Sequence, residues 1–442
     1  MQSNKKQIEL IKYDFKTSKI TNVNPLTTIN EWIIILMCIW ISWQYFNFKL
    51  GVLPFLALTA AWFISSDYRW AFKGLPLDIV MIIVWGLTFL PYMVTGNFFY
   101  GGLDIKYTII TFMLFTFGIF INYYYMYYNN NPAVLGKIVF FTMFFYLISS
   151  IQTYIGLKKY PLAARELATG SDPSQGTYSS LGIGGFGFIY SAVFLNIVIL
   201  YFVLINNRVS KKYKFFAITV CFMITIMLIS ASYATSLIIG FLGAFLVICV
   251  RDKKWFILSM ILAVLFFIAF PKEIIGYFLI DIAKLFDSSY VIQSKFLDLA
   301  QGFLGNTLGS QTSGRKELYL ASLQTFLQNP FFGIYGPFGN AFHAKVGGHS
   351  GWLDLMAYYG LFGSLPLFAA IFFNFKKQLK FFSKHPYYRF LLTAQALFVL
   401  FGFINPITYI YQVGFILFVV APAVPFLPQA FVKRNLEKGN RK

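Results

Sequence analysis

Four side chains in this 442-residue chain stand where they could do chemistry: Arg165, Arg315, Lys316 and His349. Arg165 lies in Ala164-Arg165-Glu166-Leu167, and Arg315 with Lys316 lies in Ser313-Gly314-Arg315-Lys316-Glu317. His349 lies in Gly347-Gly348-His349-Ser350-Gly351-Trp352-Leu353-Asp354. A guanidinium is a rigid fork of donors that suits phosphate, and so do the free amides at the start of a helix. An arginine at a helix start is disfavoured by the helix dipole, so Arg315 there points to a shared anion or to a plain surface charge. Arg165 reads in the same two ways, as an anion contact or as a solvated loop charge. His349 follows two glycines, which allow close backbone approach, and borders an apolar run. Imidazole is the natural general base for a hydroxyl near neutral pH. His343 and His385 are weaker candidates, the second because it falls in a basic loop on the other side. No Walker-type loop, no HExxH and no cysteine pair with metal spacing occurs, so neither a metal nor a cofactor is expected. The stretch LGIGGFGF at 181–188 follows no expected strand and opens an apolar run, which suits helix packing.

The elements that must position these residues follow from composition. The chain is 58% hydrophobic and 21% aromatic, with 12% charged residues. Soluble domains carry about 25% charged residues, so this chain has too little polar surface to cover itself. Apolar runs of span length recur at 31–48, 50–66, 76–95, 107–128, 134–156, 183–206, 215–232, 233–250, 255–272, 351–374, 389–406 and 407–428. The expected fold is therefore an all-α integral membrane protein of about twelve transmembrane helices in a single polytopic domain. With the N-terminus inside, 25 of the 36 Lys and Arg residues fall in inside segments and 11 outside. The positive-inside rule then puts both termini in the cytoplasm and the candidate residues outside. It also accounts for the net charge of +20 without nucleic acid, since no basic face with exposed aromatics forms a domain of its own. Cys38, Cys221 and Cys249 fall inside apolar runs and read as small buried hydrophobes. The first 30 residues are polar and basic, unlike a cleavable signal peptide.

Two outside loops carry the candidates. The first, 157–182, is rich in small and polar residues. The second, 273–350, is too long to be structureless. Its segment 273–304 sets Ile275, Phe278, Leu279, Ile282, Leu285 and Phe286 at helical spacing beside Asp281, Lys284 and Asp287, an amphipathic helix suited to the membrane surface. Ser313 is the expected N-cap of a second helix at 314–328, which Asn329-Pro330 ends.

The stretch SGRKELYLASLQTFLQNPFFGIYGPFGNAF, followed by HSGWLDLMAYYGLFGSL, resembles the characteristic region of the O-antigen polymerase and O-antigen ligase superfamily. The shared pattern is an arginine, a short helix, an Asn-Pro and glycine turn, a variable stretch, and a histidine followed by Asn or Ser before a span that carries Gly-Leu-x-Gly. In this chain Gly333 and Gly336 stand one residue further apart than in the family pattern, and Ser350 takes the place of the commoner asparagine. At Ser232-Tyr233 many relatives carry Ser-Arg; Tyr233 stands here instead.

The resemblance implies a GT-C-like helical fold and a metal-independent glycosyltransferase in the bacterial cytoplasmic membrane. Its donor would be an undecaprenyl-pyrophosphate-linked oligosaccharide, held by Arg165 and Arg315 with help from Lys316. His349 would meet the acceptor hydroxyl, and a single displacement would invert the anomeric centre. Tyr335, Phe338, Trp352 and Tyr358 are candidates for stacking on sugar rings or for the interfacial aromatic belt. The implied partners are the lipid-linked oligosaccharides, the lipid bilayer, a chain-length regulator and a flippase. Two alternatives stand beside the polymerase: a ligase that moves glycan to another acceptor, and a lipid-linked oligosaccharide flippase. A flippase would carry charges inside its spans and lack a large late loop, the reverse of this pattern.

Overall fold

The computed structural model describes residues 25–66, 75–94, 105–169, 174–205, 210–231, 233–250, 272–287, 293–294, 296–297, 300, 311–334 and 345–431. The expected span at 255–272 up to residue 271, His343, Tyr335, Gly336 and Phe338 lie outside the described residues, and of Arg315 and Lys316 the backbone alone is described. No strand occurs among the described residues. An apolar solvent leaves a backbone no partner but itself, and a helix satisfies that within one segment.

The helices are α1 (Pro25–Ser42), α2 (Gln44–Leu50), α3 (Leu53–Ser65), α4 (Leu77–Val94), α5 (Ile105–Asn122), α6 (Pro132–Lys159), α7 (Ala163–Thr169), α8 (Gln175–Ser180), α9 (Phe186–Leu204), α10 (Lys211–Ser230), α11 (Ala234–Val250), α12 (Lys272–Lys284), α13 (Gln311–Gln328), α14 (Gly351–Phe381), α15 (Tyr388–Ile404) and α16 (Tyr411–Gln429). Five of them, α6, α9, α10, α14 and α16, are long and apolar enough to cross a membrane, and the bent pair α1–α2 makes a sixth if counted as one span. α3, the described part of α4 and α15 are apolar but shorter. The flanks carry large exposed apolar side chains, among them Trp32, Ile64, Phe215, Phe222, Phe241 and Phe372. Such a surface suits lipid rather than water.

Four local expectations are corrected. The run 31–48 is not one straight helix: α1 and α2 meet at an angle of 100°. At the bend the Gln44 amide donates to Ser149 Oγ at 3.1 Å and the Trp43 indole donates to Gln152 Oε1 at 3.0 Å, so polar groups of α6 hold the break. The amphipathic segment at 273–304 is not one continuous helix, because α12 ends at Lys284 and a turn runs through Asp287. Ser313 is not an N-cap: α13 includes Gln311, so Ser313 takes a helical position and Arg315 falls in the second turn. The weak helix preference of Ser and Gly costs less than about 1 kcal/mol each, which packing readily overrides. Finally α14 runs on to Phe381 and is broken at Gly360, rather than forming a single rod over 351–374.

The end of the bundle away from His349 is pinned by charge. Asp78, at the start of α4, accepts from Asn374 Nδ2 at 2.9 Å and pairs with Lys377 on α14. The Lys377 ammonium also lies 5.2 and 4.9 Å from the ring centres of Tyr123 and Tyr127. Close by, Lys137 of α6 pairs with Glu31 of α1 at 2.7 Å.

Candidate functional site

The two halves of the Asn-Pro and Gly-Leu-x-Gly pattern pack directly on each other. After α13 the chain turns over Asn329–Ile334, with Gly333 at φ +65°. This turn lies on the break in α14, where Gly360 has φ +61° and ψ −164°. Leu361 N donates to the Pro330 carbonyl at 2.8 Å, Phe362 N to Phe331 at 3.0 Å, and Ile334 N to the Ala357 carbonyl at 3.1 Å. A methyl at Gly333 would lie 2.3 Å from the Tyr358 carbonyl oxygen, and one at Gly360 2.4 Å from the Phe331 carbonyl. Each glycine thus admits the backbone that the other belongs to.

This docking sets α13 beside the first turns of α14, with the loop 345–350 between them. Thr325 Oγ1 donates to the Lys345 carbonyl at 2.8 Å, and Gly347 lies flat against the Leu318 backbone. Ser350 caps α14, its Oγ accepting from Leu353 N at 3.4 Å. Asp354 is 3% exposed, in a helix that is otherwise apolar at that level. Its carboxylate accepts from Ser322 Oγ at 2.6 Å and from the Ser350 amide at 3.1 Å. His349 is exposed at the tip of this loop, and its Nδ1 lies 3.0 Å from the Gly348 carbonyl. A carbonyl only accepts, so in the neutral ring this contact selects the tautomer with the proton on Nδ1, which leaves the Nε2 lone pair free. His349 and Asp354 are close enough to interact electrostatically.

Arg165 belongs to a second cluster. The loop 157–182 contains the short helices α7 and α8. Arg165 is on α7, and no carboxylate lies within ion-pair distance of it among the described residues. The Tyr233 hydroxyl donates to the Ala164 carbonyl at 2.7 Å, and Arg165 is near enough to act electrostatically on that hydroxyl. The Tyr233 ring meets Phe186 and Tyr190 edge-on at 6.1 and 6.2 Å.

Both clusters sit at the same end of the bundle. Leu167 of α7 packs on Gly185 at the start of α9, and Gly187 packs on Ile410 and Gln412. The same connection, between α15 and α16, reaches α14: Gly351 N donates to the Asn405 carbonyl at 3.2 Å, and Thr408 packs on Gly351. Arg315 and Lys316 lie on α13. Arg315 is seven residues before Ser322, two helical turns away on the same stripe of the helix.

Two expected roles change. Trp352 is buried, its indole donating to the Val399 carbonyl at 2.8 Å, so it is a core residue and offers no sugar platform. Tyr358 is half-buried beside Asp354 rather than on an open face. His385 lies in the turn after α14, at the opposite end from His349. Its Nδ1 accepts from Tyr387 N at 3.1 Å, and burial lowers its ring below the ordinary imidazole value. Among the described residues no group of three or more His, Cys, Asp or Glu could hold a metal ion.

Ser322, Asp354 and Tyr233 were not singled out as site residues by sequence reasoning. Asp354 carried a signal: an acid four residues past a serine cap, inside an apolar run, is costly unless something holds it. Tyr233 was marked only as a departure from the resembled pattern, and Ser322 carried no signal, because the partners of both are distant in the chain. No protein-family model matches this chain, and no curated protein matches it.

Proposed function

We propose that this chain is a metal-independent glycosyltransferase that joins undecaprenyl-pyrophosphate-linked oligosaccharide repeat units into O-antigen, capsular or exopolysaccharide. It would work on the outer face of the bacterial cytoplasmic membrane, with about twelve spans in a GT-C-like arrangement and both termini in the cytoplasm. The observation that carries this reading is the exposed His349 ring, which has Nδ1 committed to Gly348 and Nε2 free as a base, at the end of the bundle that also bears Arg165.

The charges divide the work. The amide end of α14 is a natural anion site, but the Asp354 carboxylate already fills it. A pyrophosphate would be repelled there and drawn to Arg165, Arg315 and Lys316, leaving the His349 side to a neutral sugar hydroxyl. In the reaction the acceptor oxygen forms a bond to the anomeric carbon as the bond to the pyrophosphate oxygen breaks. The electron pair leaves on the pyrophosphate, where the arginines stabilise it, and the hydroxyl proton passes to His349 Nε2. The configuration at the anomeric carbon inverts.

Lipid-linked glycans in cells carrying His349→Ala, Arg165→Ala or Arg315→Ala, at matched protein level, test this. General-base assistance contributes about 10²–10⁴-fold, so His349→Ala should nearly abolish polymer while single lipid-linked repeat units accumulate. His343→Ala should do much less. Accumulation of full-length glycan still on the carrier would point to a ligase. Normal chains in His349→Ala, with repeat units trapped on the inner face in other variants, would point to a flippase.

A further inference from the structure

We propose that Ser322 and Asp354 act together as the positioning device for His349, holding its backbone from both sides while leaving its ring free. The proposal rests on the reading of His349 as the base. One residue after His349, the Ser350 amide donates to Asp354 Oδ2 at 3.1 Å. Two residues before it, the Gly347 amide donates to Ser322 Oγ at 2.9 Å. The two holders are joined, since Ser322 Oγ donates to Asp354 Oδ1 at 2.6 Å. Ser322 has one hydroxyl hydrogen and two candidate acceptors, Asp354 and the Leu318 carbonyl at 3.4 Å. The short, charge-assisted bond to the carboxylate takes it. The hydroxyl lone pairs are then turned toward Gly347.

A helix cap alone does not call for this arrangement. Ser350 Oγ already accepts from Leu353 N, and an acid near the start of α14 completes such a cap within its own helix. The bond from Asp354 to Ser322 instead reaches a different helix, α13, and from there returns to the histidine loop. Burying a carboxylate is costly unless it is fully hydrogen-bonded, and both partners here are almost completely buried. His349 is also near enough to act electrostatically on the same carboxylate. Because α13 also carries Arg315, one buried pair sets the donor-side helix and the acceptor-side loop in a common frame.

The test uses the full-length protein in lipid, with Ser322→Ala, Ser322→Thr and Asp354→Asn, each alone and in a His349→Ala or Arg165→Ala background. Amide exchange of the 345–350 segment and the rate of glycosidic bond formation are both read. Ser322→Ala and Asp354→Asn should speed exchange of that segment about tenfold. They should lower kcat about 10- to 100-fold, the scale of a misplaced catalytic group, while KM for donor stays within about twofold. Neither should lower the residual rate further in His349→Ala, whereas their effects should multiply with Arg165→Ala. Ser322→Thr keeps the hydroxyl and should keep slow exchange and most of the rate, which separates loss of the clamp from misfolding. Unchanged exchange in Ser322→Ala and Asp354→Asn, or a full additional loss in His349→Ala, would overturn the proposal. Faster exchange with a fully active His349→Ala would leave the clamp standing and remove the assignment of His349 as base.

Discussion

The hydroxyl of Tyr233 donates to the carbonyl of Ala164 at 2.7 Å, one residue before Arg165. At the position where many members of the resembled superfamily carry an arginine, this chain carries a tyrosine that holds the backbone beside Arg165 in another loop. The Tyr233 ring is wedged against Phe186 and Tyr190, so the hydroxyl reaches α7 from a rigid base. Tyr233→Phe keeps the ring and removes one hydrogen bond, worth about 1 kcal/mol, or roughly fivefold. The donor concentration needed for half-maximal rate should rise by about that factor, and the 161–182 segment should be cut faster by protease. Tyr233→Arg should be worse than Tyr233→Phe, because it loses the bond and sets a like charge beside Arg165. Equal activity of Tyr233→Arg and the parent protein would show that an arginine can serve there as an anion contact.

Gly360 should be the least replaceable residue of α14. Its φ of +61° with ψ of −164° is a conformation that only glycine adopts readily, and an added methyl would meet the Phe331 backbone. Strain of this kind costs about 1–3 kcal/mol before the clash is counted. Gly360→Ala should therefore lower the melting temperature of detergent-solubilised protein and the yield of monodisperse material. Gly86→Ala is the control: nothing lies within 4 Å of the added methyl, so it should be tolerated. Equal melting temperatures for both would contradict the backbone docking of the Asn329–Ile334 turn.

The Asp78–Lys377 pair predicts an asymmetry between single and double substitutions. Asp78 is 1% exposed, and removing it strands an ammonium between two tyrosine rings and a polar amide. Breaking one side of such a pair costs about 3–5 kcal/mol, whereas apolar replacement of both sides can be nearly neutral. Asp78→Leu should thus destabilise strongly, and Asp78→Leu with Lys377→Met should recover most of the loss, as read by thermal unfolding. A double variant as unstable as the single one would show that the network through Asn374 and Gln378 needs the charges themselves.

Topology follows from the uneven spread of Lys and Arg. Reporter fusions after residues 170 and 330 should read outside, and fusions after 210 and 380 inside. An inside signal at 330 would place α13 and His349 on the wrong side for a lipid-linked donor and would end the proposed function along with the topology.

The sequence by itself determined the helical class and the apolar character of the helices, because the solvent imposes both. A chain with 12% charged residues has little polar surface to cover itself with in water, and long apolar runs without strand-like alternation satisfy their backbone in lipid as helices rather than as a closed barrel. It also determined the local stop signals: α13 ends at Gln328, before Asn329-Pro330, as the restriction ahead of proline requires. Arg165, Arg315 and His349 were visible because their types are rare in such a chain. What only the tertiary structure decided is which distant groups answer each other. The bend at Trp43 depends on Ser149 and Gln152, over a hundred residues away. The break at Gly360 depends on a turn that arrives from α13, and hydropathy, which averages over a window, reads straight through both breaks. Ser322 is an ordinary helix serine until Asp354 and Gly347 are brought to it, and Tyr233 is an ordinary interfacial tyrosine until the Ala164 carbonyl is. Hydrogen bonds act over about 3 Å in space and carry no trace of separation along the chain, so the frame that holds the candidate residues is set by packing alone.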